Sequence, residues 1–276
     1  ANSGSGNQQN YNNSVSMINT TTNRVVREIP IHGHPLSLAI GPDGKSLYVA
    51  TSGTSSLNIL NISQSAVVST IPAGQGPNSV AITPDNRYAY VVDYASNTIT
   101  VIDLNSRSSI ATIPVGGSPG GVAISPNGRT AYVTNTKGDS ISVVNTTSRG
   151  VVATLPLGAS PAAVAFSPDG KYAYVDVYGG SRIAVFNATT NKLIRNVTVG
   201  AFPNGITVSD DGSYVYTTVV SKTQQQGKSG GTPPQPPGSQ GNGYVYVISA
   251  LNYTVVAEIP VGKFPFSISS GPINSV

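Results

Sequence analysis

A period of 42 residues runs through this chain and restricts it to a repeat architecture. Marker prolines at Pro35, Pro77, Pro119, Pro161 and Pro203 stand 42 residues apart, and Pro265 follows after 62. A turn of the Pro-Asp-Gly type keeps the same register at Pro42, Pro84, Pro126, Pro168, Asp210 and Pro272. A strand aromatic keeps it again at Tyr48, Tyr90, Tyr132, Tyr174 and Tyr216.

Each unit reads as four short strands. In the third, strand A is GVAIS (121–125), strand B is TAYVTN (130–135), strand C is SISVVN (140–145) and strand D is VVATLPL (151–157). The turn between A and B has a physical basis: Pro presets φ, Asp caps the turn and Gly takes the left-handed conformation. Solenoids of leucine-rich or ankyrin type need shorter units or helices, and a β-helix lacks such tight hairpins. Four strands per repeat of this length is the blade period of a propeller. The expected fold is all-β: a six-bladed β-propeller of four-stranded antiparallel blades, forming one domain over residues 1–276.

The chain ends bear on closure. Residues 14–20 align with 140–146, so the chain enters near strand C of a blade whose strand D is 24–30. At the other end, 265–270 reads as a strand A. The expectation is a sixth blade closed by N- and C-terminal strands, with its strand B near the weakly β-forming residues 4–9. The twenty extra residues lie at 221–243, a Pro-, Gly- and Gln-rich insertion that cannot pack a core and reads as a flexible projection.

Composition agrees with β structure and excludes several functions. The core must come from Val, Ile, Ala and Tyr, since Trp is absent and Phe numbers five. Only 9% of residues are charged, against roughly 25% in an average domain. No Lys/Arg cluster accompanies the net charge of +4, so nucleic acid is not an expected partner. Cysteine is absent, which removes disulfides, thiolate metal sites and a thiol nucleophile. No apolar run reaches the ~18 residues of a membrane helix. With few carboxylates, several of them (Asp43, Asp85, Asp169, Asp211) in exposed turns, stability is expected to stay nearly flat from neutral pH to about 3.

The run Tyr132-Val133-Thr134-Asn135, in the context ATIPVGGSPGGVAISPNGRTAYVTN, resembles the YVTN-type β-propeller repeat. The resemblance covers essentially the whole chain, although the other units vary the tetrapeptide to YVAT, YVVD, YVDV and VYTT. It implies an archaeal surface-layer or secreted protein with an extracellular structural or adhesive role. Related propellers include lactonase-like enzymes and the haem-d1 domain of nitrite reductase, so the fold by itself does not exclude catalysis.

Candidate site residues are sparse. Propeller ligands sit at the mouth of the channel, near the starts of strands A. The residues after the marker prolines are Leu36, Asn78, Gly120, Ala162, Asn204 and Phe266, among which no carboxylate, His or Arg recurs. Neighbouring loops add His34, Asp93 and Asp176, and the channel-mouth candidates are therefore His34, Asn78, Asp93, Asp176 and Asn204. Asp93 and Asp176 lie one residue out of register, and His32 with His34 is a weak chelating pair. No catalytic set, metal or cofactor is expected. Seven Asn-x-Ser/Thr triplets, at Asn12, Asn19, Asn61, Asn145, Asn187, Asn196 and Asn252, are glycosylation candidates. Four of them (Asn19, Asn61, Asn145, Asn187) close strand C, where Asn also simply suits the turn.

The leading expectation is a non-enzymatic module on a cell surface, in acidic surroundings, contacting other surface proteins, glycans or copies of itself. A self-assembling surface-layer or filament subunit is one alternative. A lactonase-like or lyase-like enzyme is the other.

Overall fold

The computed structural model describes residues 13–220, 243–262 and 265–269. Two compact units divide the chain, Ala1–Thr154 and Leu155–Val276, with the boundary inside one strand.

The first unit opens with β1 (Ser14–Asn19) and β2 (Arg24–Pro30), an antiparallel pair. Three four-stranded sheets follow. The first holds β3 (Pro35–Ile40), β4 (Ser46–Thr51), β5 (Ser56–Asn61) and β6 (Ala66–Pro72). The second holds β7 (Pro77–Ile82), β8 (Tyr88–Asp93), β9 (Thr98–Asp103) and β10 (Ser108–Pro114). The third holds β11 (Pro119–Ile124), β12 (Thr130–Asn135), β13 (Ser140–Asn145) and β14 (Gly150–Pro156). The second unit carries β15 (Pro161–Phe166), β16 (Tyr172–Val177), β17 (Arg182–Asn187) and β18 (Lys192–Thr198), then β19 (Phe202–Val208), β20 (Tyr214–Val220), β21 (Gly243–Ser249) and β22 (Val255–Val261). Within each sheet the strands are antiparallel and sequential, which is the blade expected from the repeat.

Burial explains the residue bias of each strand. The second and third strands of a blade are covered on both faces, so β8 and β9 are almost wholly buried and read as near-continuous apolar runs. The outermost strand, such as β10, is largely exposed. The repeated tyrosines Tyr48, Tyr90, Tyr132 and Tyr174 are among the most buried side chains. The turn chemistry also holds: Gly44, Gly128, Gly170 and Gly212 have positive φ, and Asn86 takes that role in the second blade. The Asp or Asn before each accepts a backbone hydrogen bond, as Asp85 Oδ1 does from Arg87 N–H at 3.0 Å.

One expectation at the chain ends, a strand A over 265–270, meets a different outcome in its described residues. Residues 265–269 form no strand, and among the described residues β1 and β2 make a sheet of two. A strand A needs a strand B along which to bond, and the residues expected to supply it, 4–9, lie outside the described residues. The segment instead presses its backbone on β19: a Cβ at Gly205 would stand 2.8 Å from Ser267 Cα. The insertion at 221–243 also lies outside the described residues, apart from Gly243, which begins β21.

Candidate functional site

Where the second and third strands of a blade meet, side chains at alternate positions share one face. In the first unit these positions are polar and bond to one another across the hairpin, and in the second blade Thr100 Oγ1 also accepts from Gly74 N–H of the loop arriving from the preceding blade. In the first blade, Thr51, Thr54, Ser56 and Asn58 bond to one another, Thr51 Oγ1 lying 2.9 Å from Ser56 Oγ and accepting from Asn58 Nδ2 at 3.1 Å. In the third, Asn135 Nδ2 donates to Ser140 Oγ at 3.0 Å and Ser142 Oγ at 2.9 Å.

The second blade builds the same knot around an acid. Asp93 is fully buried. Its Oδ2 accepts from Thr100 Oγ1 at 2.7 Å and Thr98 Oγ1 at 3.2 Å. Thr98 in turn lies 2.8 Å from the Ser96 hydroxyl, which is partly exposed. Gly74 closes the top. A Cβ there would stand 2.5 Å from Asp93 Oδ2, so only glycine lets the loop cross so near the carboxylate. Burial raises the Asp93 carboxyl from 3.8 to about 6, while the Thr100 and Thr98 hydroxyls and the N–H groups of Gly74 and Thr100 pull the other way. Asp93 Oδ1 is buried without a hydrogen-bond partner among the described residues.

Asp176, in the second unit, is a separate case. It is fully buried, its Oδ1 accepts from Thr217 Oγ1 at 2.9 Å, and Oδ2 has no hydrogen-bond partner among the described residues. Burial pushes its carboxyl well above the ordinary range. The position corresponding to Asp93 in this blade is Val177. The one-residue offset puts Asp176 on the opposite face of its strand, so its hydrogen-bonding set is a different one.

The other candidates divide as follows. His34 is half-buried with φ +30, and its carbonyl accepts from Ser52 N–H at 3.1 Å. Asn78 Nδ2 donates to the Gly120 carbonyl at 2.7 Å, linking β7 to β11, and Asn204 is half-buried on β19. Among the described residues no three His, Asp or Glu side chains gather to hold a metal. Asn19, Asn61, Asn145 and Asn187 each accept N–H groups of the following turn, as Asp103 does in the second blade. Asn196 Oδ1 accepts from Arg182 Nε, and Asn252 Oδ1 accepts from Thr254. Asn12 lies outside the described residues. Sequence reading missed Ser96, Thr98, Thr100 and Thr217. A signal was present for the first three: hydroxyls at alternate positions directly after Asp93.

Successive four-stranded antiparallel blades joined by short turns define a β-propeller. The sequence profile described as "Lactonase, 7-bladed beta-propeller" matches residues 6–157, more than half of the chain. The chain belongs to this lactonase propeller family. Its described residues form six sheets, against the seven blades in the family's description. A second profile, the cytochrome D1 haem domain, matches residues 91–225. That stretch holds no His, Cys or Met, so of the residue types that ligate haem iron it offers only tyrosine. No curated protein sequence matches the chain. Among solved structures, Kuenenia stuttgartiensis hydrazine synthase is similar with a TM-score of 0.69 at 23% identity, over 79% of this chain and 65% of that one. The chain thus spans less than two thirds of that protein. A putative 6-phosphogluconolactonase from Bacteroides uniformis is similar with a TM-score of 0.74 at 18% identity, over 98% of this chain and 85% of that one. At these identities the structural likeness shows the fold alone.

These findings correct the reading of a non-enzymatic surface module. The family is an enzyme family, and the lactonase-like alternative is the reading it favours. The profiles that match are of lactonase and cytochrome D1 propellers, not of the YVTN surface-layer type. The non-enzymatic reading rests on the lack of an exposed charged cluster, whereas one acid of the first unit, Asp93, is buried beneath a loop.

Proposed function

We propose that the chain hydrolyses a cyclic ester, with water as nucleophile and Asp93 as the general base that takes up the water's proton and hands it on. The observation that carries this is the lactonase profile over residues 6–157. That stretch contains Asp93 and its whole hydroxyl set, and it excludes Asp176.

Water adds to the lactone carbonyl, the ring C–O bond breaks, and the product is an open hydroxy acid. The proton leaving the water passes along the Ser96 and Thr98 hydroxyls to Asp93 and returns to the departing ring oxygen. A carboxyl near 6 suits this work, because it is ionised at neutral pH yet accepts a proton at little cost. The sugar lactone named in the Bacteroides uniformis neighbour is a first substrate to try.

The test is pH-stat titration of acid release from glucono-δ-lactone, its 6-phosphate and a homoserine lactone. Expected is hydrolysis of at least one above the buffer rate, with an acid limb near pH 6. Rates at the buffer background for all three overturn the reading. Full activity in Asp93→Asn would remove Asp93 from the relay and leave the lactonase reading standing.

A further inference from the structure

At the opposite end of the blades, six strand residues or about 20 Å from Asp93, the first unit carries a second polar cleft. It has about 400 Å³ of space. Its walls are the turn Thr83–Arg87, the turn Pro126–Gly128 and the turn Thr146–Arg149. The walls nearly meet, since a Cβ at Gly128 would stand 3.4 Å from Pro84 Cδ. Tyr88 forms the floor, and below it Tyr90 donates its hydroxyl to the Thr146 carbonyl at 3.1 Å.

Two guanidiniums converge on that floor. The Cζ of Arg87 lies 5.1 Å from the Tyr88 ring centre and that of Arg149 lies 5.3 Å from it. Neither is in a salt bridge; among the described residues the ion pair present is Lys171–Asp169. The acids that face them are already engaged. Asp85 Oδ1 accepts from the Thr83 hydroxyl and from Arg87 N–H, and Asp103 accepts N–H groups of its own turn. The donor forks of both arginines therefore remain for a ligand, beside the hydroxyl of Thr147.

Arg149 is also placed against local preference. It holds φ +53 in the turn between third and fourth strands, the position occupied by Asn23, Ser65, Arg107, Asn191 and Tyr253 in the other blades. Asn adopts this conformation more readily than a long side chain. The equivalent cleft in the second unit is built from Asp169, Tyr172, Asp211 and Leu251, and it has the opposite character. There, hydrogen bonds from Ser167 and Ser209 hold Asp169 and Asp211 down at about 2, and Lys171 is committed to Asp169 at 3.1 Å.

We propose that the cleft over Tyr88 binds an oxyanion, a phosphate monoester or a carboxylate, between the guanidiniums of Arg87 and Arg149. Planar forks matched to oxygen pairs give such sites their selectivity over a lone point charge. The site is independent of the lactonase reading.

The experiment is calorimetric titration of the intact protein at low ionic strength, with inorganic phosphate, glucose 6-phosphate and gluconate as probes. Two charge-assisted contacts predict a dissociation constant on the order of 1 mM, weakening as salt is added. Binding of the two phosphates alone assigns a phosphate ligand; binding of gluconate as well extends the site to carboxylates. Arg149→Asn copies the turn containing Asn191, so it keeps the fold, and it should weaken binding about tenfold. Arg149→Lys should fall between the two. No saturable binding of any probe up to about 20 mM, or equal binding by Arg149→Asn, overturns the proposal. Asp93→Asn, which acts at the other end, should bind as the parent does.

Discussion

Replacing Asp93 with Asn should make the protein more stable and less active, with the gain in stability depending on pH. A carboxyl raised from 3.8 unfolded to about 6 folded is penalised whenever it is ionised in the native state. That difference corresponds to about 3 kcal/mol. The folded state binds the proton more tightly, so between these two values stability falls as pH rises. The penalty is complete above pH 6 and absent below about 3.8. Asn at this place is a residue the fold already uses, since Asn135 donates to Ser140 and Ser142 in the next blade. The variant should therefore melt about 6–12 °C above the parent at pH 8, for a chain of this size, and level with it at pH 4. Circular dichroism melts of both proteins across that range provide the measurement, and taking their difference cancels the contribution of Asp176. In the same variant the lactone hydrolysis proposed above should drop, a stability gain accompanying a functional loss. If the variant melts at or below the parent at pH 8, or the gap is the same at pH 4 and pH 8, the carboxylate is not penalised as argued.

The other predictions are briefer. The parent's own stability should peak near pH 4 instead of staying flat. Asp93 and Asp176 cease to be penalised as pH falls, whereas Asp169 and Asp211, held at about 2, support the fold above the unfolded value and lose that support as pH approaches 2; a melting temperature highest at pH 7–8 would refute this. Gly74→Ala should destabilise by ~1–3 kcal/mol, because its Cβ would sit 2.5 Å from Asp93 Oδ2, whereas Gly150→Ala meets nothing within 4 Å and should not destabilise. Denaturant melts of the two alanine variants, if indistinguishable, would show that the loop is not held against the carboxylate.

The architecture was legible because a propeller repeats its instructions. The 42-residue register located the blades, and β12 and β13 fall on the residues read for them, 130–135 and 140–145. The Asn residues that end strand C each accept an N–H of the following turn through their own side chains. The site was less legible, for a reason lodged in Asp93. At the end of a strand an acid reads as a solvated tip, and the sequence carries no mark that Gly74 lies across it. Burial of that kind arises between a strand and the loop from a neighbouring blade, about twenty residues away along the chain.

A repeat also provides its own control for chemistry. At the position of Asp93 the neighbouring blades of the first unit carry Thr51 and Asn135, which build comparable hydroxyl networks without a titratable group. At the position of Arg149 the second blade carries Arg107, while Asn23, Ser65, Asn191 and Tyr253 hold the same left-handed turn without a charge. The scaffold therefore requires neither the carboxylate nor the guanidinium at these positions. Exchanging each for the residue of a sister blade leaves turn, register and burial as they already exist elsewhere in the same chain. A loss on Asp93→Asn or Arg149→Asn would then report on proton transfer or on anion capture, and folding would not be the explanation. The two substitutions should also be independent: their sites lie at opposite ends of the blades, and at such separation their effects on stability should add to within about 0.5 kcal/mol.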